Sequence, residues 1–191
     1  MSTSITGNTF LIKKKLMKLL GSDFRIYDAS EKEILFAHLK AFKLKEDITL
    51  YTDESKSTAV LNIKARSIMD FSSAYDFYDV ASGQKVGAAK RKGFQSILRD
   101  EWILMAADSD TEIGKIQEDS MLMALLRRLV TNLIPQKFDV SVDGQNVGRY
   151  QNNFNPFISK VSVHIHNPEK FNPLFALGMG VLLCAIEGKQ R

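Results

Sequence analysis

The sequence predicts a mainly β fold, a closed antiparallel barrel around a central hydrophobic C-terminal helix, with one additional helix. Three observations carry that prediction. A unit of strand, polar turn and strand recurs along most of the chain. A stretch near the end, Leu174 to Ile186, runs thirteen residues without a charge. The balance of 45% hydrophobic and 25% charged residues is that of an ordinary folded domain and argues against disorder.

At 191 residues the chain suits one domain with a substantial core. The expected division is a flexible tail over 1–9 and a single barrel domain over 10–191. There are 26 Lys and Arg against 22 Asp and Glu, a mild net charge of +4 that permits an anionic partner without requiring one. The lone cysteine, Cys184, excludes an intrachain disulfide and reads as a small buried hydrophobe. Met1 to Thr9 has no apolar core of signal-peptide type. The expected location is the cytoplasm, peripheral to a membrane if a lipid is bound.

In chain order, Thr9 to Leu20 fits two patterns. As a strand it puts Leu11, Lys13 and Lys15 on one face; as a helix it gathers Ile12, Leu16, Leu19 and Leu20. Lys13, Lys14, Lys15 and Lys18 read as a solvated face, with a phosphate contact surface as the sharper alternative. Five hairpins follow. Phe24 to Asp28 returns through Glu33 to Leu39, and Ile48 to Tyr51 returns through Thr58 to Ser67. Tyr75 to Val80 returns through Lys85 to Lys92, and Trp102 to Met105 returns through Glu112 to Gln117. Phe138 to Val142 turns at Asp143-Gly144, the strongest turn signal in the chain, and returns through Gln145 to Tyr150. Phe157 to Ile165 alternates as one more strand.

Two segments are helical. Ser120 to Ile134 aligns Met121, Leu122, Leu125, Leu126, Leu129 and Leu133 on one face, with Ser120 as cap and Pro135 as stop. Leu174 to Ile186 is apolar all round, with Asn172 to cap it and Pro173 at the first helical position. A helix apolar on every side must be enclosed on every side. At ~1.5 Å per residue it spans roughly 20 Å, short of the ~30 Å of a bilayer core. Length assigns it to a protein interior. A barrel has no free edges, and a wide one needs a filler of this kind. Gly178 and Gly180 would let strands pass close to its backbone.

These residues together resemble the tubby C-terminal-like superfamily, in particular its LURP-one-related branch, with phospholipid scramblases as a sister group. The strand signatures Phe24-Arg-Ile-Tyr-Asp28 and Tyr78-Asp79 carry the likeness, with Trp102-Ile-Leu104 leading to Glu112-Ile-Gly-Lys-Ile116. The Asn172-Pro-Leu-Phe-Ala-Leu177 opening of the last helix and its Ile186-Glu187 end complete it. It covers the chain from about Phe10 to Glu187 and implies a barrel of about twelve strands around the helix.

Tubby-type members bind phosphoinositide headgroups through a Lys-x-Arg pair on a strand. Leu61-Asn-Ile-Lys64-Ala-Arg66 resembles that stretch, with an extra residue before the following Tyr75 to Asp79 strand. Residues two apart on a strand share a face, so Lys64, Arg66 and Asn62 form a candidate headgroup site, with Lys90 and Lys92 as accessory cations. A Lys point charge beside an Arg fork suits a phosphate. The other reading is a solvated strand side, with Leu61, Ile63 and Ala65 inward.

Other chemistry finds little support. Asp108-Ser-Asp110 lacks the length of a calcium loop and reads as a turn. The acylated cysteine cluster and proline-rich N-terminal region of scramblases are missing. His164 and His166 share a strand face without a Cys to complete a metal site. No nucleophile elbow, phosphate-binding glycine loop or His-Glu-x-x-His pair occurs. The expectation is a non-enzymatic protein with no catalytic residue, metal or cofactor. Its partners would be an anionic phospholipid or membrane surface, or alternatively protein partners of a regulatory module with no lipid role. Nucleic acid is not expected.

Overall fold

The computed structural model describes residues 5–17, 21–39, 47–66, 74–92, 101–118, 136–153 and 158–187. Each hairpin expected from alternation forms. Strands β1 (Thr9–Met17), β2 (Gly21–Tyr27), β3 (Glu33–Leu39) and β4 (Ile48–Tyr51) open the chain. β5 (Ala59–Ala65), β6 (Ala74–Asp79), β7 (Lys85–Arg91) and β8 (Glu101–Met105) follow. β9 (Glu112–Glu118), β10 (Gln136–Val142), β11 (Gln145–Asn153) and β12 (Ile158–Ile165) complete the sheet, and α1 (Pro173–Glu187) ends the described chain. Each strand pairs antiparallel with its sequence neighbour, and β1 pairs with β12 to close a twelve-stranded barrel. The helix expected over Ser120 to Ile134 lies outside the described residues, as does Lys18.

The ambiguous first segment is a strand. Its ladders to β12 on one side and β2 on the other satisfy its backbone on both sides, which a local pattern could not foretell. Order begins within the expected tail: Ile5 packs against the core, and the Ile165 N–H donates to the Asn8 carbonyl at 2.7 Å. Asp143 and Gly144 both take positive φ, 49° and 74°, as the tightest hairpin turn requires.

Strand alternation also corrects one expectation. With Lys13 and Lys15 outward, Lys14 must point inward, and it is 3% exposed rather than solvated. Its ammonium donates to the Cys184 carbonyl at 3.0 Å. That carbonyl lies in the last described turn of α1, where a cation suits the helix dipole.

The N-terminus of α1 is capped as foreseen: Leu174 and Phe175 N–H donate to Asn172 Oδ1 at 2.9 and 3.2 Å. Every residue from Phe175 to Ile186 is buried. The helix packs on β12 and touches β1, β5, β6 and β7. Side chains, not strand backbones, close on its glycines. A Cβ at Gly178 would stand 2.6 Å from Leu61 Cδ2, and one at Gly180 would stand 2.5 Å from Ile12 Cδ1. Tyr150 adds a polar tie, its hydroxyl donating to the Ala176 carbonyl at 2.8 Å.

Candidate functional site

Strand β5 sets the candidate site by its pleat. Leu61 and Ile63 are fully buried and Ala65 packs against the core, so Asn62 and Lys64 face outward and Arg66 follows on the same side. Asn62 is engaged at once: its Oδ1 accepts from the Thr49 hydroxyl on β4 at 2.9 Å. Lys64 is exposed, its ammonium 5.2 Å from the ring centroid of Tyr78 on β6. No ion pair involves Lys64 among the described residues.

Arg66 is held differently. Its Nε and Nη2 donate to the two carboxylate oxygens of Asp76 at 2.8 and 2.5 Å, a forked pair. Nη2 also donates to Asp110 at 2.8 Å. Lys85 donates to the same two carboxylates, at 3.0 Å to Asp76 and 2.6 Å to Asp110. Two cations and two carboxylates thus close a neutral ring on the outer face. Asp110 reaches it from a left-handed turn residue, φ 55°, between β8 and β9.

The ring fixes its own charges. Hydrogen bonds from Arg66 and then Lys85 hold the Asp110 carboxyl down at about 2. The Arg66 fork, followed by Lys85, keeps Asp76 below the ordinary carboxylate range against the opposing effect of its own burial. Asp76 and then Asp110 raise Arg66 further above an already high value. For Lys85, burial is the largest single influence and lowers it, yet its two carboxylates together leave it raised.

The accessory cations divide in the same way. Lys90 is exposed on β7, two strands from Lys64. Lys92, just beyond β7, donates to Glu101 at 2.6 Å, which raises its pKa. The five residues singled out by sequence therefore share one side of the barrel, with Lys64 and Lys90 open and Asn62, Arg66 and Lys92 engaged.

Sequence reasoning passed over Asp76 and Asp110. Asp76 carried a signal: it lies between inward Tyr75 and Phe77, so it must face outward beside β5. Asp110 carried none, being 44 residues from Arg66.

The remaining reactive groups are dispersed. His164 Nδ1 lies 3.5 Å from the Thr9 hydroxyl, while His166 sits beyond β12 with its Nδ1 2.8 Å from Asn146 Oδ1. His38 meets Asp23 at 2.6 Å. No three His, Cys, Asp or Glu side chains converge on a metal position among the described residues. Burial pushes the Cys184 thiol up to about 12, only partly offset by Lys14 and Ser159, so it stays protonated. No helix among the described residues is long and apolar enough to cross a membrane. Lys64 and Lys90 leave positive charge exposed on this face.

A family model for the LURP-one-related domain matches residues 33–183, and the chain belongs to that family. No curated protein and no solved structure matches it.

Proposed function

We propose that this barrel is a non-enzymatic module that recognises anionic phospholipid headgroups weakly at a membrane surface in the cytoplasm, with Lys64 as the cation that meets the phosphate. One observation carries the reading: Lys64 is exposed beside Asn62 and over Tyr78, with no carboxylate partner among the described residues. An exposed cation–π contact is worth only ~0.5–1 kcal/mol, so Lys64 can leave the ring for a phosphate oxygen. Lys90 supplies a second open cation two strands away.

Arg66 takes a positioning role in this reading. Bound to Asp76 and Asp110, it fixes the end of β5 and the β8–β9 turn around Lys64. Helix α1 is the central filler of the barrel, keeping that face rigid from behind. Its burial from Phe175 to Ile186 and its contacts with β1, β5, β6, β7 and β12, strands spread around the barrel, support that placement. A protein-binding module would call for an exposed apolar patch. Among the described residues Val80, 37% exposed, is the sole exposed large hydrophobic, so no observation favours that alternative.

Co-sedimentation with vesicles tests the reading. Neutral and phosphoinositide-containing vesicles are compared at physiological and high salt, with Lys64→Ala and Arg66→Ala as separate variants. The expected result is salt-sensitive binding that Lys64→Ala weakens while its melting temperature holds. Arg66→Ala should lower the melting temperature. Failure to bind any anionic vesicle, or full binding by Lys64→Ala, would overturn it.

A further inference from the structure

The outer face of β12, β1 and β2 carries cations in a row. Lys160, Lys13 and Arg25 are successive ladder partners across the three strands, and Lys15 follows Lys13 on the same face. Within the described ladders, no other lysine or arginine has a lysine or arginine opposite it on both sides. Like charges directly opposite each other destabilise a sheet. The row therefore stores repulsion that a bound anion would relieve.

The carboxylates on this side are already taken. Glu33 and Glu54 hold Arg25, at 3.0 and 2.5 Å. Asp23, opposite Lys15 on β2, is engaged by His38 at 2.6 Å. Lys13 leans over the ring of Tyr27, 4.2 Å from its centroid, on the side away from β12. That posture separates it from Lys160. Lys13, Lys15 and Lys160 are left without a carboxylate partner among the described residues.

We propose that Lys13, Lys15 and Lys160 form an anion site of their own, a three-ammonium cradle for one phosphate monoester. It lies apart from Lys64 and goes beyond the lipid reading given above. The triangle has the right size. Ladder partners hold their Cβ atoms about 4.5–5.5 Å apart, and residues two apart on a strand about 6.5–7 Å. Flexible four-carbon stems from such positions converge on a tetrahedral anion, each ammonium donating to a different oxygen. Three ammonium groups, with Asp23 opposite Lys15 as the one carboxylate paired with them in these ladders, still carry a net positive charge that favours a dianion over a singly charged ion. Inward-facing Ile12, fully buried, anchors the strand that presents Lys13.

The test is a lysine side-chain NMR titration of the full chain with glycerol 3-phosphate, a soluble phosphate monoester, against sodium chloride at equal ionic strength. A parallel arm uses vesicles containing phosphatidic acid, which presents the same monoester, against phosphatidylcholine, which presents a diester. Shifts at Lys13, Lys15 and Lys160 that saturate with the soluble ester support the cradle and identify a free phosphate source. Binding confined to phosphatidic acid vesicles and retained by Lys64→Ala supports it and identifies a lipid source. In either arm Lys13→Gln with Lys160→Gln should weaken binding about tenfold for each lysine, and Lys64→Ala should leave these shifts unchanged. Absence of a response beyond the chloride control in both arms, or full binding by the double variant, would overturn the proposal. Because Lys64→Ala runs on the same probes, failure of one site is read separately from failure of the other.

Discussion

Two outer faces of this barrel treat positive charge in opposite ways. On the face of β5 to β7, Arg66 and Lys85 each meet both Asp76 and Asp110, and the four groups neutralise one another. On the face of β12 and β1, Lys13 has a cation on either side, and the nearby carboxylates serve Arg25 and His38 instead. The contrast teaches that two cations spaced on one strand do not make an anion site. The neighbouring strand decides. Opposite Lys64 stands Asp76, already saturated by Arg66 and Lys85, which is why Lys64 stays open while Arg66 does not.

Both faces rest on one interior, so the largest effect should come from there. Leu182 is fully buried, and Leu182→Asp places a charge where nothing can solvate it. The expected loss, above about 4 kcal/mol, is enough to abolish folding. Circular dichroism and thermal melting should show no cooperative transition, and vesicle binding should vanish with the fold.

Next in size is Asp76→Ala, which turns the neutral face into one resembling the other. It removes the Arg66 fork and one partner of Lys85, at an expected cost of about 1–2 kcal/mol read by chemical denaturation. Anionic vesicle binding should rise, because Arg66 and Lys85 keep only Asp110 between them. A fall in binding would show that the ring itself, and not its release, serves the ligand.

Acid should erase the difference from the other direction. Asp76 and Asp110 both titrate below the ordinary 3.8, with Asp110 at about 2. Their stabilisation is therefore complete above the unfolded-state value and is lost as pH falls from about 4 towards 2. Denaturation midpoints measured down that range should drop for the native chain and drop less for Asp76→Asn with Asp110→Asn.

The smallest effect belongs to the unneutralised face. Lys13→Gln removes the shared member of two like-charge pairs and should raise stability by a few tenths of a kcal/mol, about the scale of one cross-strand pair. The gain should shrink as salt is added, which thermal melts at low and high ionic strength would read.

Much of the architecture was legible because its signals are local. Alternating apolar residues between Asp-, Gly- and Ser-bearing turns marked five hairpins, and Asn172-Pro173 marked the start of α1. Thr9 to Met17 was ambiguous because pairing with β12, the last strand of the chain, makes it a strand. The inward turn of Lys14 followed from alternation once that was fixed, but its partner, the Cys184 carbonyl, lies 170 residues away. The candidate site was legible as a face, Asn62, Lys64 and Arg66 together. Its electrostatics were not, since they depend on Asp110 arriving from the β8–β9 turn and on a bulge that brings Lys85 opposite Tyr78.

The most direct test is a salt titration of binding to phosphoinositide vesicles, run on the native chain and on Lys64→Ala. The account predicts binding that weakens steadily with salt, as exposed charges do when screening grows, and a shallower dependence with lower affinity for Lys64→Ala. Binding that ignores salt, or identical curves for the two proteins, would contradict it.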